Sequence, residues 1–126
     1  MWIVAEAPSR IDLAGGTLDV YPIYLLEEGA LTVNMAISLM SQVRIDRGIG
    51  EGIRIVSQDL REELCAPDVG SLELGGALDL LARAVRFYGA PSDTVIRTRN
   101  TAPPGSGLGG LVVAANRALG GAAGAE

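Results

Sequence analysis

The sequence contains neither lysine nor histidine; all ten of its basic residues are arginine. Without lysine there is no Walker-type phosphate loop, and without histidine no Ser-His-Asp triad and no His-ligated metal site. The single cysteine, Cys65, can close no internal disulfide and form no cysteine cluster, which fits a reducing compartment and equally a cysteine-poor secreted protein. With no imidazole to activate it, Cys65 reads as a small buried residue rather than a nucleophile. Aromatic residues are scarce, and Trp2 and Phe87 are too separated to form a stacking platform for nucleic acid. Fifteen acids against ten bases give a net charge of −5, which also argues against a nucleic-acid binder. The longest apolar stretch, Ala30 to Met40, is broken by Thr32, Asn34 and Ser38 and is too short to span a bilayer. The opening residues lack a basic segment and carry Glu6 too early for a signal peptide, so the cytoplasm is the expected compartment.

What is present is enough apolar material for one core. The chain has 126 residues, is 48% hydrophobic and has a mean hydropathy of +0.31, so a single domain over 1–126 is expected. Its 17 glycines are roughly twice the usual share of about 7%. They cluster at 15–16, 48–52, 75–76, 105–110 and 120–124, as turns, caps and at least one loop open to close backbone approach.

Periodicity predicts a strand from Trp2 to Ala7 stopped by Pro8, and a second short strand at Arg10-Ile11-Asp12-Leu13. Asp19 to Glu28 reads as loop with one helical turn around Pro22, and Ala30 to Ser38 as a buried central strand. Ser41 to Asp46 and Ile53 to Ser57 read as strands joined by a hairpin at Gly48–Gly52, with a further short strand at Leu60 to Cys65. In the first of these, Val43 and Ile45 face one side and Gln42, Arg44 and Asp46 the other.

Gly75 to Tyr88 has helical spacing of Leu74, Leu78, Leu81, Val85 and Tyr88, an Asp79–Arg83 pair one turn apart, and Gly89 and Pro91 at its end. Thr94 to Arg99 alternates as a strand. A glycine-rich loop and an Ala/Val/Leu helix follow, from about Gly110 to Leu119 with Gly120 as its cap. Strands outnumber helices without a repeating βαβ pattern, so the expected class is α+β, a mixed sheet packed with helices.

Two segments carry chemistry. Asn100-Thr-Ala-Pro-Pro-Gly-Ser-Gly-Leu-Gly-Gly110 lies between a strand and a helix whose unpaired N–H groups and positive dipole end face the loop. That arrangement suits the phosphates of a nucleotide, although a plain strand-to-helix connection looks the same. Pro8-Ser-Arg-Ile-Asp-Leu-Ala-Gly-Gly-Thr-Leu-Asp19 gathers guanidinium, hydroxyl and carboxylate on one loop. Such a set suits a polyol, although from spacing alone an ordinary surface loop with an Asp–Arg pair is the better reading.

Together the two segments resemble the GHMP small-molecule kinases, named for galactokinase, homoserine kinase, mevalonate kinase and phosphomevalonate kinase. Pro8 to Asp19 is similar to the family's first motif, its Ala-Gly-Gly form being nearest the heptose-phosphate and fucose kinase branch. Asn100 to Gly110 is similar to the second, phosphate-cradling motif. The resemblance covers nearly the whole chain and implies the family's N-terminal domain, which itself resembles a ribosomal-protein domain.

The resemblance further implies that Pro104, Gly105, Ser106, Gly107, Leu108, Gly109 and Gly110 wrap the phosphates of ATP. It puts Arg10 beside the transferred phosphoryl group as the catalytic residue, and Gly16, Thr17 and Asp19 in the sugar pocket. Arg10 and Asp19 should then point into the same cleft as the glycine loop. Nucleotide and sugar are the implied partners, and ATP with Mg²⁺ the implied cofactors of an intact enzyme.

The family pattern continues with two serines and an alanine after Gly110, the second serine helping to hold Mg²⁺. Here Leu111-Val112-Val113 follows at once, and no residue of this chain is assigned to the metal. The family's acidic Mg²⁺ partner, catalytic aspartate and third glycine motif have no counterpart here. The expectation is thus a truncated N-terminal domain lacking its C-terminal partner, inactive alone and prone to homo-oligomerise through an exposed apolar face. The alternative is a non-catalytic anion- or partner-binding module derived from a kinase half. An isoprenoid-pathway kinase is disfavoured by the polar Thr17/Asp19 loop.

Overall fold

A computed structural model describes residues 1–18, 20–103 and 108–123, with the backbone alone at 108, 109 and 123. Five strands form one mixed sheet: β1 (Trp2–Ala14), β2 (Val33–Arg47), β3 (Gly52–Ser57), β4 (Glu62–Ala66) and β5 (Asp93–Asn100). Their order across the sheet is β1-β2-β5-β3-β4, antiparallel at every junction except β3–β5. Two helices, α1 (Asp79–Tyr88) and α2 (Leu108–Ala123), pack on each other, and α2 also packs on β1 and β2. Short 3₁₀ turns occupy Ile23–Leu25, as expected around Pro22, and Val69–Ser71. The α+β class with helices on a mixed sheet is the architecture expected from the sequence.

The core lies between helices and sheet. Val43 and Ile45 of β2, Ile96 of β5 and Ile53 and Ile55 of β3 share it with Leu78, Leu81, Ala82 and Val85 around α1. From α2 come Leu111, Ala114, Ala115, Ala118 and Leu119; the small alanines let the helix approach the strands closely. Gly89 takes the left-handed conformation that ends α1, and Asp79 receives both the Gly75 amide and the Arg83 guanidinium at 2.8 Å.

Several expectations need correction. Pro8 does not stop the first strand, because β1 lies at the sheet edge, where a missing N–H costs no ladder bond on the open side. Gly48–Gly52 is no hairpin: β5 inserts between β2 and β3, and the loop carries the chain past its end, Gly48 N–H donating to Asp93 O. The buried central strand is β5, not 30–38. Only Ser41–Arg47 of β2 pairs with β5, so Val33–Met40 pairs with β1 alone and leaves Val33 and Met35 half exposed.

Helix α1 starts at Asp79 rather than Gly75, where φ is +92°, and Leu74 lies outside it, exposed. Helix α2 begins at Leu108, inside the expected loop, and runs through Gly120 to Ala123 instead of stopping.

Of two polar residues on the sheet, Cys65 departs from the buried position expected for it. Asp46 does face the open side of the sheet, yet it is buried there beneath Arg44 and Arg97, both of which donate to its carboxylate. The Arg44 hydrogen bond, with both guanidiniums close, holds that carboxyl below its ordinary range. Cys65 is exposed, because Leu64 and Ala66 take the inward positions of β4. Its hydrogen bond to the Glu63 carboxylate pushes the thiol pKa up, which disfavours thiolate chemistry.

Candidate functional site

The end of β1 and the start of α2 meet. A Cβ built on Gly110 would lie 3.1 Å from Pro8 O, 3.1 Å from Ser41 Oγ and 3.4 Å from Ala7 O. The first turn of α2 therefore rests on the strand that opens the first motif, which brings together segments about a hundred residues apart. Only a residue without a side chain fits that contact undisturbed.

The strand leading to the glycine loop is pinned on the same side. Asn100 Oδ1 accepts from Ser41 Oγ at 3.2 Å and from the Ala102 amide at 3.0 Å. Thr101 Oγ1 accepts from the Met40 amide and donates to Met40 O, both at 2.8 Å, while the Thr101 amide donates to Met40 O. The Asn100 amide in turn reaches Asp59 Oδ1 at 3.2 Å. These bonds fix where β5 releases the chain. Ser41, Thr101 and Asp59 went unrecognised as anchors because their partners lie roughly 40 to 60 residues away and have no local signature.

The first motif is equally constrained. Gly15 has φ +72°, and a Cβ there would fall 2.2 Å from Leu31 O, so no other residue can take its place unstrained. Its carbonyl accepts from Thr32 Oγ1 and from the Leu18 amide, both at 2.9 Å. At Gly16 a Cβ would meet Asp12 Oδ2 at 2.7 Å, so the carboxylate lies directly against the turn. Arg10 pairs with Asp12 at 3.5 Å and is more than half exposed, and Thr17 is exposed too. The structure thus gathers Arg10, Asp12, Gly16 and Thr17 at the end of β1. Asp19 and Pro104 to Gly107 lie outside the described residues, while Leu108, Gly109 and Gly110 form the first turn of α2 rather than loop.

Chemically, the first turn of a 16-residue helix presents unpaired N–H groups and the positive end of its dipole. It carries no acidic residue that would compete for those amides. The arrangement suits an anion, while Arg10, on the adjoining strand, alternates to the face opposite Ala7 and Ser9.

No protein-family model matches the sequence, and no curated protein matches it significantly. Solved structures do match. A D-glycero-D-manno-heptose 1-phosphate kinase from Bacteriodes thetaiotaomicron is 31% identical, with a TM-score of 0.76 over 94% of this chain and 41% of its own. The mevalonate kinase of Methanococcus jannaschii is 19% identical, with a TM-score of 0.75 over 100% of this chain and 42% of its own. A galactokinase of Lactococcus lactis, solved with galactose, is 16% identical, with a TM-score of 0.60 over 91% of this chain and 31% of its own. The chain thus spans about 40% or less of the length of these proteins.

Proposed function

We propose that this chain, which has the fold of the N-terminal part of the GHMP small-molecule kinases, is the ATP-phosphate-binding part of a sugar or sugar-phosphate kinase. The observation that supports the reading is the seating of α2's first turn on the Ala7–Pro8 end of β1, which sets an anion-binding helix terminus against the strand that carries Arg10. Arg10 offsets charge on the transferred phosphoryl group. Gly16, Thr17 and Asp19 line the sugar pocket, and Pro104 to Gly110 cradle the nucleotide phosphates. The sugar-phosphate class is supported by identity, 31% to the heptose-phosphate kinase against 19% to the mevalonate kinase.

The residues fit the nucleotide better than the metal. No group of three or more Asp, Glu or Cys side chains able to hold an ion occurs among the described residues. Leu111, buried in the core, and Val112 stand where the family pattern has hydroxyls. At these two positions the helix offers Mg²⁺ no side-chain oxygen. On this reading the 126-residue chain binds nucleotide and, with apolar residues at 111 and 112, does not turn it over. The same Leu111-Val112 pair favours the second reading, a non-catalytic anion- or partner-binding module. In both readings no helix of the described residues is long and apolar enough to cross a membrane.

Calorimetry of the chain with ATP and ADP, alongside ADP release in the presence of Mg²⁺ and a panel of hexoses and heptose phosphates, tests this. Binding without sugar-dependent turnover is expected. Absence of nucleotide binding overturns the reading, and turnover near one per second, the low end for kinases, overturns the inactivity of the isolated chain.

A further inference from the structure

Ser9 is buried at 3% exposure, and its Oγ has no hydrogen-bond partner. A buried hydroxyl left unpaired costs stability, so it calls for an explanation. Thr94 and Thr98 Oγ1 are unpaired too, but both face the closed interior from the middle of the sheet. Ser9 differs in where it sits.

It falls at a register irregularity, where the single residue between Pro8 and Arg10 faces three residues of β2 between Ala36 and Met40. The alternation of β1 continues through the irregularity, Ala7 and Ser9 buried, Pro8 and Arg10 exposed. Ser9 therefore shares with Ala7 the side of β1 that α2 covers. The part of α2 at this level is its first turn, since Gly110 abuts the carbonyls of Ala7 and Pro8. An unpaired hydroxyl and the unpaired amides of a helix start thus lie at one join, with Arg10 next in sequence. The amides donate and the hydroxyl can donate as well as accept, so an acceptor of negative charge satisfies them together.

We propose that Ser9 Oγ donates a hydrogen bond to a phosphate oxygen of the nucleotide held at the start of α2, making Ser9 a side-chain member of the anion site. The proposal rests on the nucleotide-binding reading above and adds a residue to it. A hydrogen bond to a charged oxygen carries roughly a 10- to 100-fold effect on affinity.

The test is calorimetric titration of the full chain with ADP and, in parallel, with inorganic phosphate at fixed ionic strength. Wild type is compared with Ser9→Ala, Ser9→Gly and Thr94→Val, the last removing an unpaired hydroxyl at the far end of β5. Ser9→Ala weakens ADP at least tenfold, while the unfolding midpoint of the unliganded protein stays level or rises because an orphan has gone. Thr94→Val leaves affinity unchanged. Equal ADP affinity in wild type and Ser9→Ala overturns the role of Ser9 alone. A fall in unliganded stability together with unchanged affinity shows a packing role and overturns it as well. Failure of wild type to bind ADP overturns this proposal and the nucleotide reading together.

Discussion

Three glycines of α2 test the join between the helix and β1. At Gly120 an added Cβ meets only the Tyr88 ring, at 3.7 Å, and at Gly121 only Ile3 Cδ1, at 3.9 Å, both ordinary contacts. Replacing either by alanine gains helix propensity of about 0.5–1 kcal/mol with no steric charge. At Gly110 the same gain is opposed. The methyl lands 3.1 Å from Pro8 O and from Ser41 Oγ, and the latter is already committed to Asn100. Overpacking of that kind costs about 1–3 kcal/mol, so Gly110→Ala ends between neutral and roughly 2 kcal/mol destabilised. Gly110→Val adds two further carbons to the same contact and falls well below that. Urea unfolding followed by circular dichroism reads the difference, at about 3–6 °C per kcal/mol if melting is used instead. The expected order of stability is Gly120→Ala above wild type, wild type at or above Gly110→Ala, and Gly110→Val last. If Gly110→Ala stabilises as much as Gly120→Ala, then α2 does not rest on β1, and the site loses its foundation.

Thr98→Val removes a buried, unpaired hydroxyl from the centre of the sheet and should raise stability by about 1 kcal/mol, seen as a higher urea midpoint at unchanged slope. Asp46 has a folded-state pKa below its unfolded value, so the stability it contributes is present above roughly pH 4 and is lost as pH falls through the folded value. Asp46→Asn should therefore lower stability at neutral pH and flatten its decline on acidification, measured by urea midpoints across that range. The exposed side chains of Leu25, Leu26, Leu31 and Val33 should drive self-association of the isolated chain. Sedimentation at high concentration would show dimers or larger species, reduced in Leu26→Gln/Leu31→Gln, whereas a monomer throughout contradicts the expectation.

Local signals were legible and non-local ones were not. Val43/Ile45, the alternation at 94–99, the Asp79–Arg83 pair and the Gly89 cap each depend on residues within a turn or a strand, and each appears in the structure as read. The continuation of β1 through Pro8 depends on its being an edge strand, which nothing near Pro8 encodes. Likewise the hairpin reading at Gly48–Gly52 failed because the strand that intervenes comes some 40 residues later. The alternation put Asp46 on the face opposite Val43 and Ile45, but its burial there depends in part on Arg97, 51 residues on. Gly120 looked like a cap, yet its neighbours Ala118 and Leu119 are buried, and tertiary packing carries the helix past it. Of the site, the order of the two motifs was legible; the contact at Gly110, the Ser41–Asn100 anchor and the orphaned Ser9 hydroxyl belong to pairings between distant strands.

The claim that a nucleotide's phosphates are held where α2 begins can be measured residue by residue. Titrating the ¹⁵N-labelled chain with ADP should shift the backbone amides of Gly105 to Gly110, together with those of Ser9 and Arg10, and leave those of β3 and β4 in place. Shifts confined to the opposite end of the sheet around Gly48 to Gly52, or no shift at saturating ADP, would contradict it.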